Sequence, residues 1–139
     1  MTRTVAITKA MACLIESIGR KRIPLEYCAV LLGIVDAGDH IRVLSLVKLR
    51  NSDTRIGRFS VWDKELCCAA AAAQERGQDI VALLHTHTRF GSEASRADRI
   101  GIANAAHPWV IASVQGASGV SFSAYNAGSA HPLPVLLED

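Results

Sequence analysis

The segment from Glu26 to Val35 constrains the fold most, because it is apolar at almost every position instead of at alternate ones. A strand with one face in water alternates apolar and polar residues, whereas a strand covered on both faces is continuously apolar. Ile80–Leu84 is a second buried strand of this kind. The sequence therefore predicts an α/β fold, in which helices pack on a mixed sheet.

Helical and strand patterns fill most of the remaining chain. Apolar residues from Ile7 to Ile18 recur at helical spacing, with Thr8 as N-cap and Gly19 as the predicted end. A strand at Ile41–Leu49 is expected to form a hairpin with the first strand. The other predicted elements are a strand at Arg58–Val61, a helix from Asp63 through an alanine run to Arg76, a helix from Ser95 to Ala106, and strands at Trp109–Val114 and Val120–Tyr125.

Length and charge exclude several classes of protein. The 139 residues fit one domain, which we expect to span residues 1–139, and they are too few for a TIM barrel. The net charge of +2 lacks the basic excess of a nucleic-acid-binding protein, so no nucleic-acid partner is expected. A hydrophobic fraction of 50% permits a buried oligomer face, either in a homodimer or with a heteromeric partner.

The apolar runs and the cysteines indicate the compartment. Cys28–Val35 is the longest apolar run and falls far short of the ~18 residues of a membrane span, so no membrane partner is expected. No secretory signal is evident at the N-terminus, and we expect a cytoplasmic protein. In a reducing compartment the four cysteines would be small buried hydrophobic residues. The vicinal pair Cys67-Cys68 lacks the CxxC spacing of a redox or metal site.

Two histidines and an aspartate form the clearest constellation of potential metal ligands. His85 and His87 end a predicted strand two residues apart, so their side chains leave on the same side with Cα atoms roughly 6.5 to 7 Å apart. Asp98 follows in the first turn of the next helix and could return a carboxylate to the strand end. Two imidazoles and one carboxylate would leave a fourth position open for water on Zn²⁺, as in catalytic zinc sites.

Each of these signals also has an ordinary structural explanation. His-x-His at a strand end is often a pair of solvated or hydrogen-bonded histidines. Ser95-Arg96-Ala97-Asp98 is also a capping-box pattern, with Ser95 as the N-cap and Asp98 near the positive end of the helix dipole. Glu26 could be a polar residue at the edge of a strand.

Taken together, the same residues match a known motif. His85-Thr86-His87, seven further residues and Ser95-Arg96-Ala97-Asp98 resemble the JAMM motif H-[ST]-H-x7-S-x2-D of the MPN+ (Mov34/JAB) zinc metalloproteases. The segment from Pro24 to Gly33 is similar to the family pattern P-x-E-x-C-G-x-L-x-G, which carries a glutamate. Thr88 and Ala94 stand where the family commonly has proline, and Ala29 stands where it has glycine.

The resemblance implies a fold, a mechanism and a set of site residues. The fold would be a cytidine-deaminase-like MPN/JAMM domain of minimal prokaryotic type, with a mixed curved sheet and helices packed on it. His85, His87 and Asp98 would hold one Zn²⁺ per chain, and Glu26 would be the general base and acid for the attacking water. Ser95 would donate a hydrogen bond to the developing oxyanion. Helix capping and oxyanion binding compete for this serine, and the sequence leaves both open.

The implied reaction is hydrolysis of a peptide or isopeptide bond after the C-terminal tail of a ubiquitin-like or sulfur-carrier protein. Strand addition beside the metal would hold the extended tail, with Thr88–Ala94 as a wall of the groove. Precursor processing and removal of a conjugated modifier remain equally open. The alternative is an MPN interaction module with little or no activity on its own, although such modules usually lack members of the metal set.

Other zinc proteins fit less well. Thr88-Arg89-Phe90 replaces the aspartate and histidine that a metallo-β-lactamase has after His-x-His. A nucleobase deaminase needs H-x-E and P-C-x-x-C, and neither is present. A cupin would be mainly antiparallel strand, which the predicted helix from Asp63 to Arg76 contradicts. The remaining histidines, His40, His107 and His131, have no partner at ligand spacing and are expected to be structural or surface residues.

Overall fold

A computed structural model describes residues 3–50, 63–89, 91–115 and 119–139 of the chain. The strand predicted at Arg58–Val61 lies outside these ranges. The described residues form three helices and eight strands. In chain order these are β1 (Val5–Thr8), α1 (Lys9–Arg22), β2 (Cys28–Val35), β3 (Ile41–Leu49), α2 (Asp63–Glu75), β4 (Asp79–His87), α3 (Arg96–Ala103), β5 (Trp109–Ser113), β6 (Ser121–Tyr125), β7 (Pro132–Leu133) and β8 (Val135–Glu138).

One curved, mixed sheet contains all eight strands in the order β7-β6-β5-β4-β2-β3-β1-β8. The predicted hairpin is confirmed, since β2 pairs antiparallel with β3. On its other side β2 pairs antiparallel with β4, which in turn pairs parallel with β5. The last two strands, β7 and β8, lie at opposite edges of this sheet although only Pro134 separates them in the chain.

The continuously apolar strand β2 has helices over both of its faces. Ala29 and Leu31 point into a core shared with Ala12 and Ile15 of α1. The alternate residues Val30 and Leu32 pack instead with α2. A further cluster joins Ile102 of α3 to β5 on that second side. The prediction of an α/β fold from this strand is therefore confirmed.

The first helix begins at Lys9, two residues after the start of its apolar spacing at Ile7. Thr8 is the N-cap, as predicted, and its hydroxyl oxygen accepts a hydrogen bond from the Met11 amide at 3.1 Å. Ile7 was wrongly assigned to the helix, because it belongs to β1 and packs in the core from there. The prediction that the helix ends at Gly19 was also wrong, since α1 continues to Arg22.

Gly19 is a point of close contact between α1 and the sheet. A Cβ atom there would lie 2.9 Å from Cγ2 of Thr86 and 3.1 Å from Cγ1 of Val114. Both neighbours are β-branched and have stiff χ1 angles, so neither methyl group can move aside easily. The glycine therefore lets α1 lie directly on the strand that carries His85 and His87.

We expect Gly19→Ala to destabilise the protein despite the better helix propensity of alanine. The propensity gain is about 1 kcal/mol, while overpacking a tight core costs about 1–3 kcal/mol. The stiff neighbours place this site in the upper part of that range, so the free energy of unfolding should fall by roughly 1–2 kcal/mol in urea titrations. Ser17→Ala, on the exposed face of the same helix, is the control and should change little. A more stable Gly19→Ala protein would contradict this account of the packing.

The second helix packs through small residues, as its alanine run predicted. Ala69 and Ala73 are 1% exposed and contact the sheet. The prediction that the cysteines are buried was wrong for three of the four. Only Cys28 is buried, while Cys13, Cys67 and Cys68 are exposed on helices, and all four are free thiols. The helical spacing that turns Ala69 and Ala73 inward leaves Cys67 and Cys68 facing outward.

The other predicted boundaries are correct to within a few residues. Gly77, at φ 66°, follows the last turn of α2, as expected of a glycine that ends a helix. The helix α3 ends at Ala103, before the predicted Ala106, and β5 and β6 are each one residue shorter than predicted. No helix within the described ranges is long and apolar enough to cross a lipid bilayer.

Candidate metal centre

The end of β4 places both histidines on one side of the sheet. His85 pairs with Cys28 of β2 and with Ile111 of β5, so this strand is held from both sides. Because alternate residues of a strand point the same way, the rings of His85 and His87 come together with their centroids 5.2 Å apart. Both are buried, at 1% and 3% exposure. The intervening Thr86 points to the opposite face, toward α1.

The first turn of α3 brings Asp98 to the histidines. The Ser95 hydroxyl oxygen accepts a hydrogen bond from the Asp98 amide at 3.1 Å, and the Ser95 amide donates to Oδ2 of Asp98 at 2.9 Å. This is a complete capping box, which fixes the aspartate side chain as well as the helix start. Oδ1 of Asp98 lies 3.1 Å from Nε2 of His85, and its Oδ2 lies 2.9 Å from Nε2 of His87.

Burial and hydrogen bonds shift the pKa values of the three groups in different directions. Burial lowers the pKa of His85 below that of a free imidazole, against the opposing effect of Asp98. Burial also acts to lower the pKa of His87, but hydrogen bonds to Asp98 and to the Gly91 carbonyl outweigh it and raise the pKa. Burial acts to raise the pKa of Asp98, but hydrogen bonds from both histidines lower it far below its ordinary value. Asp98 is thus an anion at neutral pH.

The hydrogen bonds of His87 test whether this group fits a metal ion. Nδ1 of His87 lies 2.7 Å from the Gly91 carbonyl oxygen, which can only accept, so Nδ1 carries the proton. In a neutral ring Nε2 then has a lone pair, and it faces the Asp98 carboxylate at 2.9 Å. Two acceptors at that distance require a proton or a cation between them. A backbone carbonyl that fixes the tautomer in this way is the usual support of a metal-bound histidine.

The donor set is suited to zinc. One ligand atom from each of His85, His87 and Asp98 lies within 4.8 Å of the others, and all three residues are buried. Two imidazole nitrogens and one carboxylate oxygen are preferred zinc ligands, and three protein ligands leave one position for water or substrate. The structure therefore brings together the three predicted metal ligands.

Glu26 lies beside this group, just before β2 begins. The Tyr27 amide donates to the Thr86 hydroxyl oxygen at 2.8 Å, and the Thr86 amide donates to the Tyr27 carbonyl oxygen at 3.0 Å. These bonds continue the pairing of β2 and β4 and bring Glu26 alongside His87. The carboxylate is 3% exposed, and its negative charge contributes to the raised pKa of His87. A buried carboxylate whose charge acts on His87 can exchange protons with a group held at the centre.

Two of the three positions that depart from the family pattern make contacts that proline could not make. The Thr88 hydroxyl donates to the Pro24 carbonyl oxygen at 3.2 Å and so ties the loop to the segment that carries Glu26. The Ala94 amide donates to the Tyr125 hydroxyl at 2.9 Å, a bond for which proline has no N–H. The loop conformation is therefore supported by contacts of this chain's own residues. Ala29 is fully buried in the core.

Several supporting residues gave no signal in the sequence. Trp109 packs edge-on against His85, with the ring centroids 5.4 Å apart, and closes one side of the site. It stands opposite Leu83 in the parallel pair β4–β5, a pairing that only the sheet order reveals. The carbonyl of Gly91 could not have been predicted, because any residue supplies one. Among the remaining histidines, His40 bonds the Thr4 hydroxyl at 2.6 Å, which is the structural role expected of it.

Known proteins resemble this chain in both sequence and structure. The sequence profile of one family, prokaryotic homologs of the JAB domain, matches residues 10–126. The chain is similar to the solution structure of a protein from Desulfitobacterium hafniense, with a TM-score of 0.86 and 20% identity over 98% of this chain and 94% of that one. It is also similar to a protein from Salinibacter ruber, with a TM-score of 0.68 and 25% identity over 100% of this chain and 92% of that one. A third similar structure is that of a JAB1/MPN domain protein from Archaeoglobus fulgidus, with a TM-score of 0.61 and 14% identity over 100% of both chains. No curated protein matches the sequence.

Proposed function

The chain belongs to the prokaryotic JAB-domain family, and on that basis we propose that it is a zinc-dependent peptidase. Its reaction would be hydrolysis of the amide bond after the C-terminal tail of a ubiquitin-like or sulfur-carrier protein. The observation that carries the proposal is the convergence of the buried His85, His87 and Asp98 ligand atoms within 4.8 Å, beside the buried carboxylate of Glu26.

The metal and the carboxylate would have separate tasks. Zinc held by His85, His87 and Asp98 would supply Lewis acidity, which polarises a carbonyl oxygen and makes water more acidic. Glu26 is not one of the three clustered ligands, so it is available to accept a proton from the attacking water. It would then deliver that proton to the leaving amine. One carboxylate serves both steps because each step leaves it in the protonation state that the other requires.

Ser95 can serve both as the N-cap of α3 and as a hydrogen-bond donor to an oxyanion, two roles that the sequence suggested would compete. As the N-cap its oxygen accepts a hydrogen bond from the Asp98 amide, and this uses a lone pair of the hydroxyl, not its proton. The hydroxyl proton therefore stays available for donation to a developing oxyanion. The capping bond would fix the oxygen in place, which makes the donor preorganised.

A strand edge that is largely unpaired among the described residues supports the binding of an extended tail. On the side facing β1, strand β3 is paired only at Ile41 and Arg42, as far as the described residues extend. Its far end, Val47–Leu49, lines a cavity of about 410 Å³ together with Lys64, Cys68 and Ala69 of α2. A peptide added along such an edge gains backbone hydrogen bonds, and the adjoining cavity takes its side chains.

The exposed thiols support a cytoplasmic location. Cys13, Cys67 and Cys68 are free and accessible, and such thiols persist unpaired in a reducing compartment. We also propose that the chain is one domain with one metal site. A homodimer or a heteromeric partner remains compatible with its apolar composition.

Metal content together with cleavage tests the proposal. We expect about one zinc per purified chain by elemental analysis, and hydrolysis of fusions that join a ubiquitin-like tail to a reporter. His87→Ala should lose the zinc and the hydrolysis together. His131→Ala, at an exposed position outside the ligand group, is the matched control and should keep both.

The other outcomes separate the two candidate roles. Zinc without hydrolysis of any fusion would favour an interaction module that keeps its metal. No zinc in the wild-type protein, even after reconstitution, would overturn the peptidase proposal.

A further inference from the structure

A second cavity, of about 550 Å³, opens directly beside the ligand group. Its lining includes His87 and Ser95, so any molecule in it would adjoin the site of hydrolysis. The rest of the described lining is the loop segment Gly91–Ala94. Among the described lining residues, Glu93 is the single acidic one, and none is a lysine or arginine.

Hydrogen bonds fix the loop on both sides of Glu93. The Gly91 carbonyl accepts from His87, and the Ser92 hydroxyl pairs with that of Ser123 at 2.8 Å. On the other side the Ala94 amide donates to Tyr125 at 2.9 Å. The backbone that carries Glu93 is thus tied to strands of the sheet, so binding a cation here has to order the side chain but not the loop.

The Glu93 carboxylate has no charged partner of its own within the described ranges. It makes no ion pair and no hydrogen bond with any residue described, and its side chain is exposed. The neighbouring cations, Arg89 and Arg96, are also exposed and do not pair with it. A negative charge in this position is available to a cation that enters the cavity.

We infer that Glu93 is a specificity-determining residue, which selects substrates with a lysine or arginine side chain next to the scissile bond. This inference rests on the proposed peptidase function. It adds to that function a preference for a positively charged substrate residue in the cavity. The cation would lie in the cavity, with its charge at the Glu93 carboxylate and its backbone beside Ser95. The lysine or arginine would stand either before or after the scissile bond, and the experiment distinguishes the two sides.

Two series of internally quenched peptides, each built on a ubiquitin-like C-terminal tail, would test this. One series varies the last residue before the scissile bond and the other varies the first residue after it, each with lysine, arginine, glutamine or glutamate. An exposed ion pair is worth a factor of up to about five, so we expect the wild-type protein to favour lysine over glutamine by about fivefold in one series. The preference should weaken as salt is added.

Substitutions at Glu93 should change this preference, which is measured as the ratio of lysine-peptide to glutamine-peptide hydrolysis within each variant. In Glu93→Gln the rates for the lysine and glutamine peptides should agree to within about twofold. Glu93→Lys should favour the glutamate peptide instead. Glu75→Gln and Glu75→Lys make the same charge changes at an exposed position in the last turn of α2, and should behave as the wild type. Equal preferences in the wild type and Glu93→Gln would overturn the inference and leave the proposed function standing.

If the wild-type protein cleaves no peptide, the proposed function is in question. The inference about Glu93 is then tested by measuring peptide binding. The affinities of the lysine and glutamine peptides would then be measured by isothermal titration calorimetry on the zinc-loaded protein. Tighter binding of the lysine peptide that disappears in Glu93→Gln supports the inference. Equal affinities of the two peptides, or a difference that Glu93→Gln retains, overturn it.

Discussion

Glu26→Gln should abolish hydrolysis while zinc remains bound. Glutamine has nearly the same shape and suits a buried position, but its amide cannot accept and return a proton. General acid-base catalysis contributes about 10²- to 10⁴-fold, so kcat should fall by at least two orders of magnitude. Because Glu26 is not one of the three clustered ligands, elemental analysis should still find about one zinc per chain.

The control for this substitution is Glu75→Gln, which removes one carboxylate from an exposed helical position and should leave kcat unchanged. Urea titrations of both variants would show that neither loses its fold. Unchanged turnover in Glu26→Gln would remove this residue from the mechanism and leave the identity of the base open among the other groups at the site.

Asp98→Ala should lose zinc and stability together, because this side chain has two roles. As a ligand it supplies the only carboxylate of the group, and its removal should reduce zinc affinity by more than the 10- to 100-fold lost with supporting residues. As a member of the capping box it accepts the hydrogen bond of the Ser95 amide at 2.9 Å. Loss of a helix cap costs about 1 kcal/mol of unfolding free energy.

Two further variants separate the roles of Asp98. Asp98→Asn keeps an oxygen for the Ser95 amide but loses the negative charge, so it should lose zinc and keep most of the stability. Ser95→Ala should do the reverse, keeping zinc while the metal-free protein loses about 1 kcal/mol in urea titrations. Full zinc content in Asp98→Ala would show that Asp98 is not the third ligand.

The sequence could predict that these residues lie close together because the geometry that joins them is local. His85 and His87 meet through the two-residue period of a strand, and Ser95 and Asp98 meet through the first turn of a helix. The position of Glu26 depended on a separate motif, and the structure explains it through the Tyr27–Thr86 backbone pairing. Trp109 could not be predicted, because its contact with His85 follows from the order of the strands.

The fold was less predictable where packing overrides local pattern. The four-residue strand β1 runs directly into α1, so Ile7 continued the helical spacing although it lies in the sheet. Gly19 has the usual signature of a helix end, yet the approach of Thr86 is what requires it. The strands β7 and β8 are too short to carry a period, and the place of β8 depends on a partner distant in the chain, β1.

The pairing of β1 with β8 has a consequence for the order of folding. Val5 lies beside Val135, so strands from nearly opposite ends of the sequence are neighbours in the sheet. A ribosome makes β1 first, but the strand that flanks its outer side emerges only after all the other strands have been synthesised. Contacts between such distant segments form slowly, because a long loop must close first. During synthesis the apolar face of α1 would therefore lie beside an incomplete sheet until β8 has been made and has paired with β1.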